Sequence, residues 1–230
     1  MEPGQTSRLR RLTRAIVYAV VVAAPLGALA FLVRTKFGPL VHLDEDLIMS
    51  ATDFTRSHPR FRSVAAAWES VSQPWVVYAL VGAPVCAFAW FRLHLRTRAA
   101  WALATMATGW AIATGVKAVV RRARPVVEDP FATHAGYSFP SGHATNNAVV
   151  VTLVLLLLHP VLGVIAWRAL LCAGALWLLA TCADRVFMGA HFPSDVAAGV
   201  LLGCGVCVAS YAGYTGWSPP TPTDNSKGLT

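Results

Sequence analysis

Six apolar stretches, at about residues 15–33, 75–91, 99–120, 145–167, 169–183 and 195–214, meet or approach the length of a membrane crossing. A crossing takes about 20 mostly apolar residues at about 1.5 Å of rise each. Backbone N–H and C=O groups find no water in hydrocarbon, so a chain of this pattern has to satisfy them inside helices. The expected fold class is therefore all-α: a polytopic membrane helix bundle of about six transmembrane helices over residues 15–215. A basic N-terminus at 1–14 precedes it, and a Pro- and Thr-rich tail at 216–230, expected to be disordered, follows. The fourth and fifth stretches merge through "HPVLGVIAWR", where Pro160 and Arg168 mark the expected turn.

Composition removes the competing classes. The chain is 56% hydrophobic and 13% charged, against roughly 45–50% and about 25% in soluble domains. A net charge of +8 with this apolar content suits anionic lipid surfaces or an anionic substrate rather than nucleic acid. Cys86, Cys172, Cys182, Cys204 and Cys207 all lie inside apolar stretches, which is no disulfide framework. The Cys204-x-x-Cys207 pair within "GVLLGCGVCVAS" reads as small residues easing helix packing, not as a redox or zinc site. Gly199 and Gly203 form a G-x-x-x-G with the same use.

"RLRRLTR" followed by an apolar run and "ALA" resembles a cleavable signal, but the uncharged run of 19 residues is long enough to span and is expected to remain as a helix. With the N-terminus inside, nine of the nineteen Lys and Arg residues fall on the inner side. The raw count is level, but half of the outer cations lie in the acid-bearing 34–74 connector and four more cluster at one polar segment. That favours both termini cytoplasmic, in the plasma membrane. The connector itself reads either as an amphipathic segment lying on the membrane or as a solvated link.

Three polar clusters interrupt this pattern, and ionisable groups at membrane depth are candidate functional residues by default. In "KAVVRRARP", Lys117 and Arg124 are seven residues apart, about two helical turns, with Arg121 between them. Three cations on one stripe repel unless an anion sits among them, and Pro125 is expected to stop the helix. Arg122, on another face, reads as a snorkelling collar. In "FPSGHATNN", Ser141, Gly142 and His143 stand at the start of an apolar helix, where free backbone N–H groups and the dipole favour an anion. In "DRVFMGAHFPSD", Pro193 suits a first helical turn, so that Asp195 can accept a hydrogen bond from one ring nitrogen of His191 and leave the other basic. The same H-x-x-x-D spacing also suits a metal, but cations at Lys117, Arg124 and Arg185 would oppose one.

Together the clusters resemble the type 2 phosphatidic acid phosphatase and vanadium haloperoxidase superfamily, whose motifs are K-x6-R-P, P-S-G-H and S-R-x5-H-x3-D. The chain reads Lys117-x6-Arg124-Pro125, Pro140-Ser141-Gly142-His143 and Asp184-Arg185-x5-His191-x3-Asp195, over roughly residues 75–212. Asp184 departs from the motif Ser; it either points away from a phosphate or pairs with a cation. The resemblance implies that Lys117, Arg124, Ser141, Gly142 and Arg185 hold the phosphoryl oxygens. Arg121 and Asp184 would stand behind them. His191 would attack phosphorus to form a phosphohistidine, oriented by Asp195, and His143 would act as general acid and base. No metal or other cofactor is expected.

The expected activity is hydrolysis of a lipid phosphate monoester of the phosphatidic acid kind, in a site facing outward. Alternatives are a polyprenyl diphosphate phosphatase and, from another class, a catalytically silent protein that binds or moves lipids. The expected partners are the lipid phosphate substrate and the surrounding lipids, with no nucleic acid; oligomeric state is not readable. His134 and Tyr137 lie near the second motif and read as loop residues.

Overall fold

The computed structural model describes residues 8–126, 131 and 135–215, and every regular element among them is a helix. Residues 1–7, the 216–230 tail and His134 lie outside the described residues. α1 (Arg8–Arg34) carries the first apolar stretch, and α2 (Gly38–Ser57) and α3 (Pro59–Val71) fill the connector. The second stretch is one rod, Pro74–Phe91, built of α4 (Pro74–Val77), a π-helical turn (Tyr78–Gly82) and α5 (Ala83–Phe91). Pro84 has no N–H to donate and its ring would strike a carbonyl one turn back, so the wide turn before it lets the rod continue. α6 (Arg96–Val120), α7 (Gly142–Leu158), α8 (Val164–Phe187) and α9 (Pro193–Tyr214) complete the bundle.

Five of these helical segments are long and apolar enough to cross a membrane, and α7, at 17 residues, is a shorter apolar helix. Its length has a physical reason. α7 packs against α9, α8, α6 and α4, and every residue from Ala144 to Val150 is buried, so protein rather than lipid surrounds it. The outer helices carry the lipid-facing belt instead: Val21, Phe31, Leu80, Phe91, Ile165 and Leu176 are all exposed. In water such a surface would aggregate; in a bilayer it is the required one.

The turn between the fourth and fifth stretches is not where the sequence places it. α7 ends at Leu158, residues 159–163 form the turn, and Arg168 lies within α8. Pro160 and the extended Gly163 break the helix here, whereas Arg168 sits exposed on the flank of a 24-residue helix long enough to span. The connector is also neither a solvated link nor a segment lying free on the membrane. α2 and α3 dock on α8: Thr55 donates to the Phe187 carbonyl (2.8 Å), Trp68 Nε1 to Thr181 (3.2 Å), and Phe54, Phe61 and Phe187 form an edge-packed cluster.

Glycines let the backbones of α7 and α9 approach closely. A Cβ on Gly203 of α9 would meet the Thr145 carbonyl oxygen of α7 at 2.4 Å, and one on Gly199 would meet the Ser141 carbonyl oxygen at 2.9 Å. The G-x-x-x-G therefore works inside the bundle, pressing the start of α9 on the start of α7. Cys207 lies on the same interface, its thiol against the Val149 carbonyl, and all five cysteines are free. The two ends of the bundle differ. Arg14 of α1 reaches the Thr215 carbonyl after α9 (2.8 Å), while Arg34 reaches the Val119 carbonyl at the end of α6 (2.7 Å). The start of α1 and the end of α9 share one face, and the three motif segments gather at the other.

Gly203→Ala is expected to cost about 1–3 kcal/mol through overpacking and to lower the thermal midpoint in detergent. Gly27→Ala in α1, where an added Cβ meets nothing within 4 Å, is the control expected to leave it unchanged or raise it.

Candidate active site

The first motif is not a helical stripe. α6 ends at Val120, because Arg121 takes a left-handed conformation (φ 52°) and closes the helix through its N–H to the Lys117 carbonyl. The helix thus stops before Pro125, and Lys117 and Arg124 are not two turns apart on one face. Lys117, in the last turn of α6, donates to the Tyr137 carbonyl (2.9 Å). Arg124, in the segment beyond, donates to the carbonyls of Gly136 (3.2 Å), Ala135 (3.2 Å) and Ala190 (2.9 Å), and its Nη1 lies 3.3 Å from His191 Nε2. Arg121, expected to stand behind the phosphate-binding residues, instead folds back on the Ala118 carbonyl (2.8 Å) and lines a separate cavity.

Ser141 caps α7, its hydroxyl accepting from the Ala144 N–H (3.4 Å), which leaves its own proton to donate. A Cβ on Gly142 would find only the Lys117 stem within 4 Å, at 3.9 Å, so the helix start fronts open space beside that lysine. His143 follows in the first turn, half-buried.

In the third motif, α9 starts at Pro193 as its sequence requires, and Asp195 falls in the first turn. The Ser141 N–H donates to the Asp195 carbonyl (2.9 Å), which joins the second motif to the third. Asp195 is fully buried. Its Oδ2 accepts from the Phe192 N–H (3.0 Å) and faces His191 Nδ1 at 3.7 Å, a sub-ångström shift from a hydrogen bond. His191 is itself buried, and burial pushes its imidazole down to about 4. Asp195 opposes that shift, while Arg124 and Lys117 add to it. The ring is neutral at pH 7, and with Arg124 facing Nε2, that nitrogen presents its lone pair. Burial likewise lowers Arg124, helped by Arg185 and opposed by Asp195 and Glu69.

Asp184 answers to a cation: its carboxylate contacts Arg185 through Nε (2.9 Å) and Nη2. Glu69 of α3 takes Arg185 Nη1 at 2.7 Å. Arg185, expected in the phosphate cradle, is thus held by two carboxylates, with N–H donors left over.

Arg122 corrects its sequence reading outright. It is no surface collar: its Nη1 donates to Asp195 Oδ1 (2.7 Å) and Ser194 Oγ (2.7 Å), its Nη2 to Asp44 Oδ2 (2.7 Å), and its guanidinium stacks 4.0 Å over the Phe192 ring. Asp44, buried in α2, also accepts from the Ser194 N–H (3.0 Å) and contacts its hydroxyl. Asp44, Glu69, Arg122 and Ser194 are the site residues that sequence reasoning missed; only the polarity of Arg122 beside a motif hinted at one of them. Two cations are each claimed by two carboxylates, whereas Lys117 and Arg124 bond carbonyl and ring acceptors only, among the described residues. Among those residues no group of three His, Cys, Asp or Glu side chains is arranged to hold a metal ion.

A family model described as PAP2 superfamily matches residues 98–218. Lipid A 1-phosphatase of Rhizobium etli is 34% identical over 120 residues, 48% of this chain and 48% of that protein, so the chain's match spans about half its length. Decaprenylphosphoryl-5-phosphoribose phosphatase of Mycobacterium tuberculosis is 34% identical over 137 residues, 57% of this chain and 67% of that one. A transmembrane PAP2-type phosphatidylglycerolphosphate phosphatase from Bacillus subtilis superposes with a TM-score of 0.73 at 19% identity, covering 84% of this chain and 94% of that one, which is a shared fold. With the family match extending over more than half of its length and the three motifs meeting at one end of the bundle, the chain belongs to the PAP2 superfamily.

Proposed function

We propose that this chain is an integral membrane phosphatase that hydrolyses a lipid phosphate monoester through a phosphohistidine intermediate. The observation that carries the reading is His191: a buried, neutral imidazole with Asp195 beside Nδ1 and the Arg124 guanidinium beside Nε2. A phosphoryl group drawn to Lys117 and Arg124 arrives at that lone pair. The Ser141 hydroxyl and the amides opening α7 supply further donors, and the charge accumulating on the equatorial oxygens is met by fixed cations. Nε2 attacks phosphorus, the P–O bond to the leaving group breaks, and His143 protonates the departing oxygen. His143 then takes a proton from water as that water attacks phosphorus. The P–N bond breaks, and phosphate and neutral His191 are returned. Asp195 balances the positive charge that His191 carries while phosphorylated.

Two relatives are named for phosphatase action on lipid A and on a decaprenyl-linked phosphoribose, which favours a lipid-borne monoester here over a polyprenyl diphosphate. A silent lipid-binding role would leave the buried, charge-matched site without a purpose. The site faces the exterior and the N- and C-terminal segments the cytoplasm of the plasma membrane in this reading; the shared face of the start of α1 and the end of α9 supports an arrangement with both ends on one side. Turnover by purified protein of phosphatidic acid, phosphatidylglycerol phosphate or undecaprenyl diphosphate tests the substrate class.

His191→Ala abolishes phosphate release without shifting the thermal midpoint by more than a few degrees, and wild-type turnover survives excess chelator; near-normal turnover in the variant removes the nucleophile, and chelator-sensitive turnover removes the all-cation cradle. Because the His191 pKa is depressed in the folded state, its acid limb in kcat/KM lies near pH 4 rather than the ordinary 6.5. The same depression stabilises the fold fully above pH 6.5 and is lost as pH falls from there toward 4, since the unfolded chain binds the proton more readily. A limb at 6.5, with substrate ionisation measured separately, contradicts the buried neutral ring. Arg122→Gln lowers kcat about tenfold or more with a smaller effect on KM, because it frees Asp195 Oδ1; an unchanged kcat means that the Phe192 amide alone holds Asp195.

A further inference from the structure

Beside the reaction centre, between the ends of α1 and α6 and the face of α2, lies a cavity of about 740 Å³ that the mechanism leaves unused. That volume is within the roughly 300–1,000 Å³ range of small-molecule sites. Arg124, whose guanidinium faces His191, is part of its lining, so the cavity and the reacting atoms share a wall. Arg34, Lys36 and Arg121 also line it, all three exposed, and none of them forms a salt bridge among the described residues. Among the described residues, Glu45 is the one carboxylate of the lining. Three cations without a carboxylate partner among the described residues, against one carboxylate, leave the cavity attractive to an anion. Arg122, paired with Asp44 and Asp195, also lines it, and the remaining walls are apolar, including Ile48 and Met49.

Lys36 and Arg121 share a further property. Both are non-glycine residues with positive φ, 53° and 52°. Glycine is the locally easier residue in that conformation, and each position carries a cation instead. A cation past a helix C-terminus is favoured by the dipole alone. The dipole does not explain why cations from two different helix ends, with Arg34, line one cavity that adjoins the nucleophile.

We propose that this cavity is a second anion subsite, which holds a charged polar group on the headgroup of the lipid whose phosphate monoester reacts at His191. The proposal rests on the phosphatase reading above. It assigns the substrate to lipids whose headgroup extends beyond the scissile phosphate and bears another anionic group, such as a second phosphate on a sugar. The scissile phosphate sits on the His191 side of Arg124, and the second anion sits on the other side, against Lys36 and Arg121.

The test uses the full chain in mixed micelles with two substrates, lipid A carrying both of its phosphates and phosphatidic acid, which has one. The variants are Lys36→Gly, Arg121→Gly and the double variant. Because glycine suits both backbone conformations, a thermal midpoint close to wild type is expected, which separates lost contacts from lost folding. The double variant is expected to lower the ratio of kcat/KM for lipid A to that for phosphatidic acid about tenfold, the size of one lost charge-assisted contact. A ratio within about twofold of wild type overturns the subsite, as does a wild-type protein that turns over phosphatidic acid but not lipid A. If the variants instead lose only an activation of phosphatidic acid turnover by added phosphatidylglycerol, the cations serve surrounding lipids and the proposal also fails. Wild-type protein that hydrolyses no lipid phosphate at all overturns the phosphatase reading itself.

Discussion

Asp195 is the residue on which three distant parts of the chain converge. Its carbonyl receives the Ser141 N–H, its carboxylate receives Arg122 and the Phe192 amide, and its second oxygen faces His191. A carboxylate buried this deeply is costly unless its lone pairs are satisfied. Satisfying them recruits Arg122, and Arg122 in turn needs Asp44 on α2. One buried charge therefore draws a helix of the connector, the segment after α6 and the starts of α7 and α9 into a single arrangement. Breaking any member leaves the others buried and unmatched, which gives the site its rigidity.

The close crossing of α7 and α9 makes that convergence possible. Gly199 and Gly203 let the two backbones approach until the Ser141 and Asp195 main chains can bond. Hydrocarbon offers no hydrophobic drive for helix association, so van der Waals packing of small residues and interhelical hydrogen bonds have to supply it. At this end of the bundle both are present in adjacent turns.

Charge is partitioned across the site in a way that fits an incoming phosphate. Arg122 and Arg185 are each occupied by two carboxylates, whereas Lys117 and Arg124 bond no carboxylate among the described residues. The first pair builds the frame, and in the proposed reading the second pair meets the substrate. Asp184, where the motif has Ser, belongs to the frame: it pairs with Arg185 and not with the space beside His191.

Local chemistry made much of this readable in one dimension. Apolar length determined the number of apolar helices, Pro193 determined the start of α9, and the three motifs named Lys117, Arg124, Ser141, Gly142, His143, His191 and Asp195, because their types and spacings are properties of adjacent residues. The tertiary structure alone decided where α6 stops, since the left-handed Arg121 is a backbone choice that no spacing rule encodes, and with it the opposite fates of Arg121 and Arg122. It alone decided that Asp44 and Glu69 of the connector reach the site, because their partners lie 78 and 116 residues away in the chain. The energy of pairing a buried charge depends on what folding brings within about 3 Å, and sequence order carries no record of that distance.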